Sequence, residues 1–186
     1  MAKRALIVID VQGEYFDDGA LPISDPPTGT SLANIGRAMD AAASSGVPVI
    51  VVRHGSTAEG AGSFVPGSDG WQLHPEVERR PRDHLIEKEL PGSFTGTPLA
   101  DVLDDAGIDT VVITGYMTHM CVDTTARQAA HRGLNVEILR DATGTLALEN
   151  SGGAASGEEL HRATLVAQGQ FFADVLSTEE WVGRIA

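Results

Sequence analysis

Short, nearly continuous runs of aliphatic and β-branched residues recur along this chain, separated by longer stretches with helical spacing. The first run, 5–10 (Ala-Leu-Ile-Val-Ile-Asp), has no polar alternation, which marks a strand covered on both faces. Comparable runs at 47–53, 109–115 and 135–141, with weaker ones at 84–89 and 171–176, predict five more strands. Between them, 34–45 is rich in alanine and closes at Gly46. The stretch 97–106 opens with Thr-Pro and stops at Gly107, a proline at the first helical position and a glycine past the last. Residues 118–132 end at Gly133, and 158–168 and 178–185 complete five predicted helices. Strands alternating with helices predict a six-stranded parallel sheet in a three-layer α/β/α sandwich with right-handed crossovers. Two segments, 14–31 and 55–82, carry neither period. Irregular stretches of that length in a compact domain are lids or interface arms. The second holds Phe64, Trp71 and three prolines, so an ordered segment is expected rather than a linker.

Length and composition narrow the picture. The 186 residues suit a single domain, 1–186, with one sizeable core. A net charge of −13 opposes phosphate backbones and anionic lipid, so neither nucleic acid nor a membrane is expected as partner. The one cysteine excludes an intramolecular disulfide and a thiolate metal cluster, which suits a reducing compartment. The apolar run near the N-terminus stops at Asp10, too short for a secretory core or a span, so a cytoplasmic location is expected. Arginines outnumber lysines eleven to two, and Lys88 is the lysine that lies well inside the chain. It is either a chance surface residue or a place where a guanidinium will not serve.

Ligands of open parallel sheets bind at the carboxyl ends of the strands. Asp10 falls at the end of the first predicted strand, Lys88 near the end of the third, and Cys121 just beyond the fourth. Each has an ordinary alternative: a turn cap, a surface lysine, a small buried hydrophobe. Their convergence on one edge favours chemistry. Thr118 three residues before Cys121 predicts a helix opening capped by Thr118, with the sulfur over the helix N-terminus, where a thiolate is stabilised. Asp10 would then accept the thiol proton and pass it to a leaving nitrogen. Lys88 would hold the charged forms. Backbone N–H groups at Met117 and Cys121 are candidates for an oxyanion hole.

Three blocks carry a family resemblance: Ile-Val-Ile-Asp-Val-Gln at 7–12, Glu-Lys-Glu-Leu-Pro-Gly-Ser-Phe-Thr-Gly-Thr-Pro-Leu at 87–99, and Thr-Gly-Tyr-Met-Thr-His-Met-Cys-Val-Asp-Thr-Thr-Ala-Arg at 114–127. In this order they resemble the isochorismatase-like cysteine hydrolases, whose fold is Rossmann-like, and the likeness covers nearly the whole chain. The resemblance implies an Asp10–Lys88–Cys121 triad, a cis peptide between Tyr116 and Met117 that turns N–H groups toward an oxyanion, and a homodimer or homotetramer. Relatives of the nicotinamidase type carry Asp-x-His after the second strand. Here Val52 stands where that Asp would be, leaving His54 alone, so no metal or other cofactor is expected. True isochorismatases lack the nucleophilic cysteine. Cys121 therefore favours hydrolysis of a small amide, ureido or carbamoyl substrate, as in N-carbamoylsarcosine amidohydrolase and related amidases.

Gln12, Phe16, His54, Trp71, Phe94 and Tyr116 are candidate pocket residues, with ordinary packing as the alternative for each. His119 lies two positions before Cys121, roughly opposite it on a helix, and is not expected to form a dyad. His131 and His161 receive no role. A family member that only binds a ligand, an isochorismatase- or nicotinamidase-type hydrolase, and an acidic interaction module remain open. A nucleotide-binding module lacks support, since no G-x-G-x-x-G or G-x-x-x-x-G-K-[ST] follows a strand.

Overall fold

The computed structural model describes residues 2–186. Its elements in chain order are β1 (Arg4–Ile9), α1 (Thr28–Ser44), β2 (Val49–His54), the short α2 (Pro75–Glu78), β3 (His84–Lys88), α3 (Leu99–Asp105), β4 (Thr110–Tyr116) and α4 (Asp123–His131). There follow β5 (Asn135–Gly144), β6 (Leu148–Asn150), β7 (Gly153–Ala155), α5 (Gly157–Phe171), β8 (Asp174–Leu176) and α6 (Thr178–Ile185). Six strands form one parallel sheet in the order β3-β2-β1-β4-β5-β8.

The period of two explains the layers. Leu6 and Val8 of β1 face a core shared with Ile35, Met39 and Ala42 of α1 and Trp181 of α6. Ala5, Ile7 and Ile9 face the other way, onto Leu99 and Leu103 of α3, Ala126 and Ala129 of α4, and Leu165 of α5. Both faces of the central strands are thus apolar, which is why their sequences run without alternation. Two capping boxes, Ser156 with Glu159 and Ser177 with Glu180, start α5 and α6.

The structure corrects several boundaries. Helix α1 begins at Thr28, six residues before its predicted start, because Thr-Gly-Thr-Ser offers little apolar period although Ser31 is buried. Phe171 belongs to α5 and is 84% exposed, so the last strand is reduced to 174–176. Strand β5 continues to Gly144, and the antiparallel pair β6–β7 was not expected. The predicted helix 118–132 opens with a π-helical turn, Thr118–Val122, before α4 begins.

The two irregular segments are tied to each other by one buried carboxylate. Glu14 accepts the Phe64 N–H at 3.1 Å on one oxygen and the Ala20 N–H at 2.9 Å on the other. Phe64 is held at φ 54, a left-handed conformation uncommon for an aromatic residue. It is buried between Tyr15 and His54, at ring distances of 5.2 and 5.1 Å.

Candidate active site

The strand order reverses between β1 and β4, and the crevice at such a switch point lies beyond the carboxyl ends of these two strands. Strands β1 and β4 meet closely there: a Cβ on Gly115 would lie 2.0 Å from the Ile9 carbonyl oxygen, and Gly115 has φ 105. Only glycine fits. Asp10 follows β1 at φ 53, a conformation that Asp tolerates better than most residues, and its N–H is held by the Val52 carbonyl at 2.9 Å. The Tyr116–Met117 peptide that ends β4 is cis. Met117 leads into the π-helical turn, in which Cys121 is the fourth residue.

Asp10, Lys88 and Cys121 come together. Lys88 Nζ is 2.7 Å from Asp10 Oδ2, with both side chains fully buried, and donates to Cys121 Sγ at 3.3 Å. A third contact was not anticipated. His54, paired in register with Lys88 across β2 and β3, accepts from Nζ at 3.4 Å on Nδ1. The ammonium thus meets a carboxylate as an ion pair, and a sulfur and an imidazole nitrogen as hydrogen-bond partners. Both Asp10 oxygens are buried without a hydrogen-bond partner among the described residues, so the 2.7 Å contact with Lys88 is an ion pair alone.

The electrostatics overturn one expectation. Thr118 does not cap a helix: the N-cap position is Met117, and the Thr118 hydroxyl instead meets His161. Cys121 is only 5% exposed. Burial pushes its thiol up, the Asp10 carboxylate pushes the same way, and the Lys88 ammonium opposes both without prevailing. Burial and Asp10 thus favour the protonated sulfur, and no capped helix N-terminus stands beneath it. For Lys88, burial works against the charge, but Asp10 and Cys121 outweigh it and leave the ammonium raised. His54 is lowered, first by burial and then by Lys88, so it faces the ammonium as a neutral ring.

The other candidates divide. Trp71 lines a cavity of about 390 Å³ that reaches Lys88 and includes Thr57, Pro66, Glu89 and Leu90. Its ring is covered by the Arg53 guanidinium at 3.6 Å. Gln12 spends its amide on backbone: Nε2 donates to the carbonyls of His54 and Trp71, and Oε1 accepts the His54 N–H, all at 2.8 Å. It clamps the wall of the site. Tyr116 is buried, with its hydroxyl 2.8 Å from Ser31 Oγ, and burial pushes its phenol up to about 12. Phe94 packs in the apolar cluster that also holds Cys121, under the Arg132 guanidinium. Phe16 stacks on His74 at 4.2 Å. His119 bonds Thr145 Oγ1 through Nδ1 at 2.6 Å.

One neighbour escaped the sequence reading. Tyr15 is buried, and its phenol is raised well above its usual value by burial and then by Cys121 and Asp10. It adjoins Phe16, and with no period to read in 14–31 the choice between the two was not legible.

Among the described residues no three His, Cys, Asp or Glu side chains are placed to share a metal ion, and a cation on His54 Nδ1 would meet the Lys88 ammonium. No described helix is long and apolar enough to cross a membrane.

Four histidines, His54, His74, His119 and His161, are lowered chiefly by burial. The unfolded chain therefore takes up protons near pH 6.5 that the folded chain refuses, and stability falls as pH drops below that value. Thermal denaturation followed from pH 7.5 to pH 5 is expected to show a falling midpoint. A midpoint flat over that range would contradict the neutral burial of these rings.

Comparison with known proteins bears on the family and the fold. A family model described as an isochorismatase domain matches residues 4–180. An isochorismatase family protein of Bacillus subtilis (strain 168) is 30% identical over 178 residues, 96% of this chain and 98% of that protein. The ureidoacrylate amidohydrolase RutB of Methylobacterium radiotolerans is 30% identical over 218 residues, 98% of this chain and 80% of its own. A crystal structure from Burkholderia xenovorans LB400 superposes with a TM-score of 0.96 at 53% identity, covering 99% of this chain and 88% of that one.

Proposed function

The chain belongs to the isochorismatase family, and on that premise we propose that it is a metal-independent cysteine hydrolase cleaving a C–N bond of a small amide, ureido or carbamoyl compound through an acyl-thioenzyme. The observation that carries this reading is one buried ammonium in contact with both a carboxylate and the chain's single thiol. The amidohydrolase named among the relatives supports the bond type.

The reaction starts from thiol, carboxylate and ammonium. As the sulfur attacks the substrate carbonyl carbon, its proton passes to Asp10, whose Oδ1 has no competing donor. The oxyanion that forms is received by the N–H groups of Met117 and Cys121. Asp10 gives the proton to the nitrogen, the C–N bond breaks, and the amine or ammonia leaves. Water then attacks the thioester, one of its protons goes through Asp10 to the sulfur, and the acid is released. Lys88 keeps its charge throughout and favours the thiolate in the step where it exists. The cavity bordered by Trp71 and Leu90, which is lined by Lys88 though not by Asp10 or Cys121, is the route we assign to the substrate.

A screen for ammonia release against primary amides, N-carbamoyl amino acids and ureido acids tests the reading. One class is expected to turn over, with a covalent adduct on Cys121 in quenched samples and no loss of rate in EDTA. Turnover that EDTA stops and zinc restores, or that leaves Cys121 unmodified while a different residue carries the adduct, would refute it.

A further inference from the structure

The turn that carries Cys121 has an anchor outside the site. We infer that His161 is a positioning residue for the nucleophile: from α5 it grips Thr118, the first residue of the π-helical turn, and so sets where the Cys121 sulfur stands against Asp10 and Lys88. This inference rests on the reading of Cys121 as nucleophile.

The hydrogen bonds define the ring. His161 Nε2 is 3.0 Å from the Arg140 carbonyl oxygen of β5. A carbonyl only accepts, so Nε2 carries the hydrogen. His161 Nδ1 is 2.8 Å from Thr118 Oγ1. In the neutral ring this nitrogen accepts, and the Thr118 hydroxyl donates. His161 is 8% exposed and Thr118 0%, so both bonds form away from water, where an unmade one is costly. The imidazole becomes a rigid strut from β5 to the turn, with one tautomer permitted.

The turn has need of such a strut. Its backbone closes through Val122 N–H to the Met117 carbonyl at 3.2 Å, in the wide ring of a π-helix, which is rarely stable alone. The next residue, His119, is tethered to Thr145 beyond β5. Consecutive residues are therefore held from two sides, while Cys121 itself makes one side-chain bond, to Lys88. Placement of the sulfur is inherited from these tethers. Thr118, which looks from sequence like a helix cap, spends its hydroxyl here instead.

The test uses Thr118→Val, which keeps the shape and removes the hydroxyl, Thr118→Ser, which keeps the hydroxyl, and His161→Gln. The rate of Cys121 alkylation by iodoacetamide is followed against pH by mass spectrometry, beside thermal denaturation. Thr118→Val and His161→Gln are expected to shift the pH–rate curve toward that of a free thiol, with the rate at pH 7 changed about tenfold. Thr118→Ser should return the curve to the parent's. Adding Thr118→Val to His161→Gln should change the curve no further, because the bond that Thr118→Val removes is already lost with the His161 ring. The inference is overturned if Thr118→Val, still folded, alkylates with the parent's curve, or if Thr118→Ser fails to restore it. Either result leaves the hydrolase reading standing, since that reading fails separately, on a Cys121→Ala protein that still releases ammonia.

Discussion

Cys121→Ala is expected to lose ammonia release by at least about 10⁴-fold while melting close to the parent, because covalent catalysis has no substitute within the chain. Cys121→Ser should fare little better. An alcohol is far more reluctant to give up its proton than a thiol, and burial already works against ionisation at this position. Asp10→Asn should produce a loss of similar size, since the amide cannot take the proton from sulfur. Residues that act as one unit are not additive. The double variant Asp10→Asn, Cys121→Ala should therefore be no worse than either single one. Steady-state ammonia release measures all four. A Cys121→Ala enzyme within tenfold of the parent would end the nucleophile assignment.

Lys88→Met should damage the fold as well as the reaction. Removing one member of a fully buried ion pair leaves the other without compensation, at a cost of about 3–5 kcal/mol. For a domain of this size the thermal midpoint should fall by about 10 °C. Asp10 would be left buried with no cation beside it, and the thiol would lose the ammonium that favours its ionisation. Adding Asp10→Asn to Lys88→Met should recover much of the stability and none of the turnover. Differential scanning of the three proteins decides it: a Lys88→Met protein that melts with the parent would mean that the pair is not buried in solution.

Much of this site was legible before any coordinates. Strand ends are marked by where an apolar run stops, and in a parallel sheet those ends share one edge, so Asp10, Lys88 and Cys121 could be brought together by topology alone. The scarcity of lysine drew attention to Lys88, and the geometry supplies a reason: three partners surround a point charge. What could not be read were partners fixed by long-range packing. His161 lies forty residues from Cys121 on a helix whose apolar period accounts for it as core edge. His54 looked like half of a missing metal motif, and only the register of β2 with β3 turns it to the ammonium. Gln12 and Tyr116 resemble pocket residues in sequence, yet both spend their polar atoms inside the wall. The Thr118 cap expectation failed for a related reason. Helix position is visible in sequence, whereas the His161 ring that meets the hydroxyl is not.

The three-way contact around Nζ bears on how such chemistry tolerates its surroundings. In the proposed reaction, as the proton moves from sulfur to carboxylate, the enclosure begins as one anion with one cation and ends as one anion with one cation. Its total charge is the same before and after. The repulsive field of a molecule carrying −13 acts on changes in total charge, and this relocation presents it with almost none. An acidic exterior and an ionising interior can therefore coexist in one small protein.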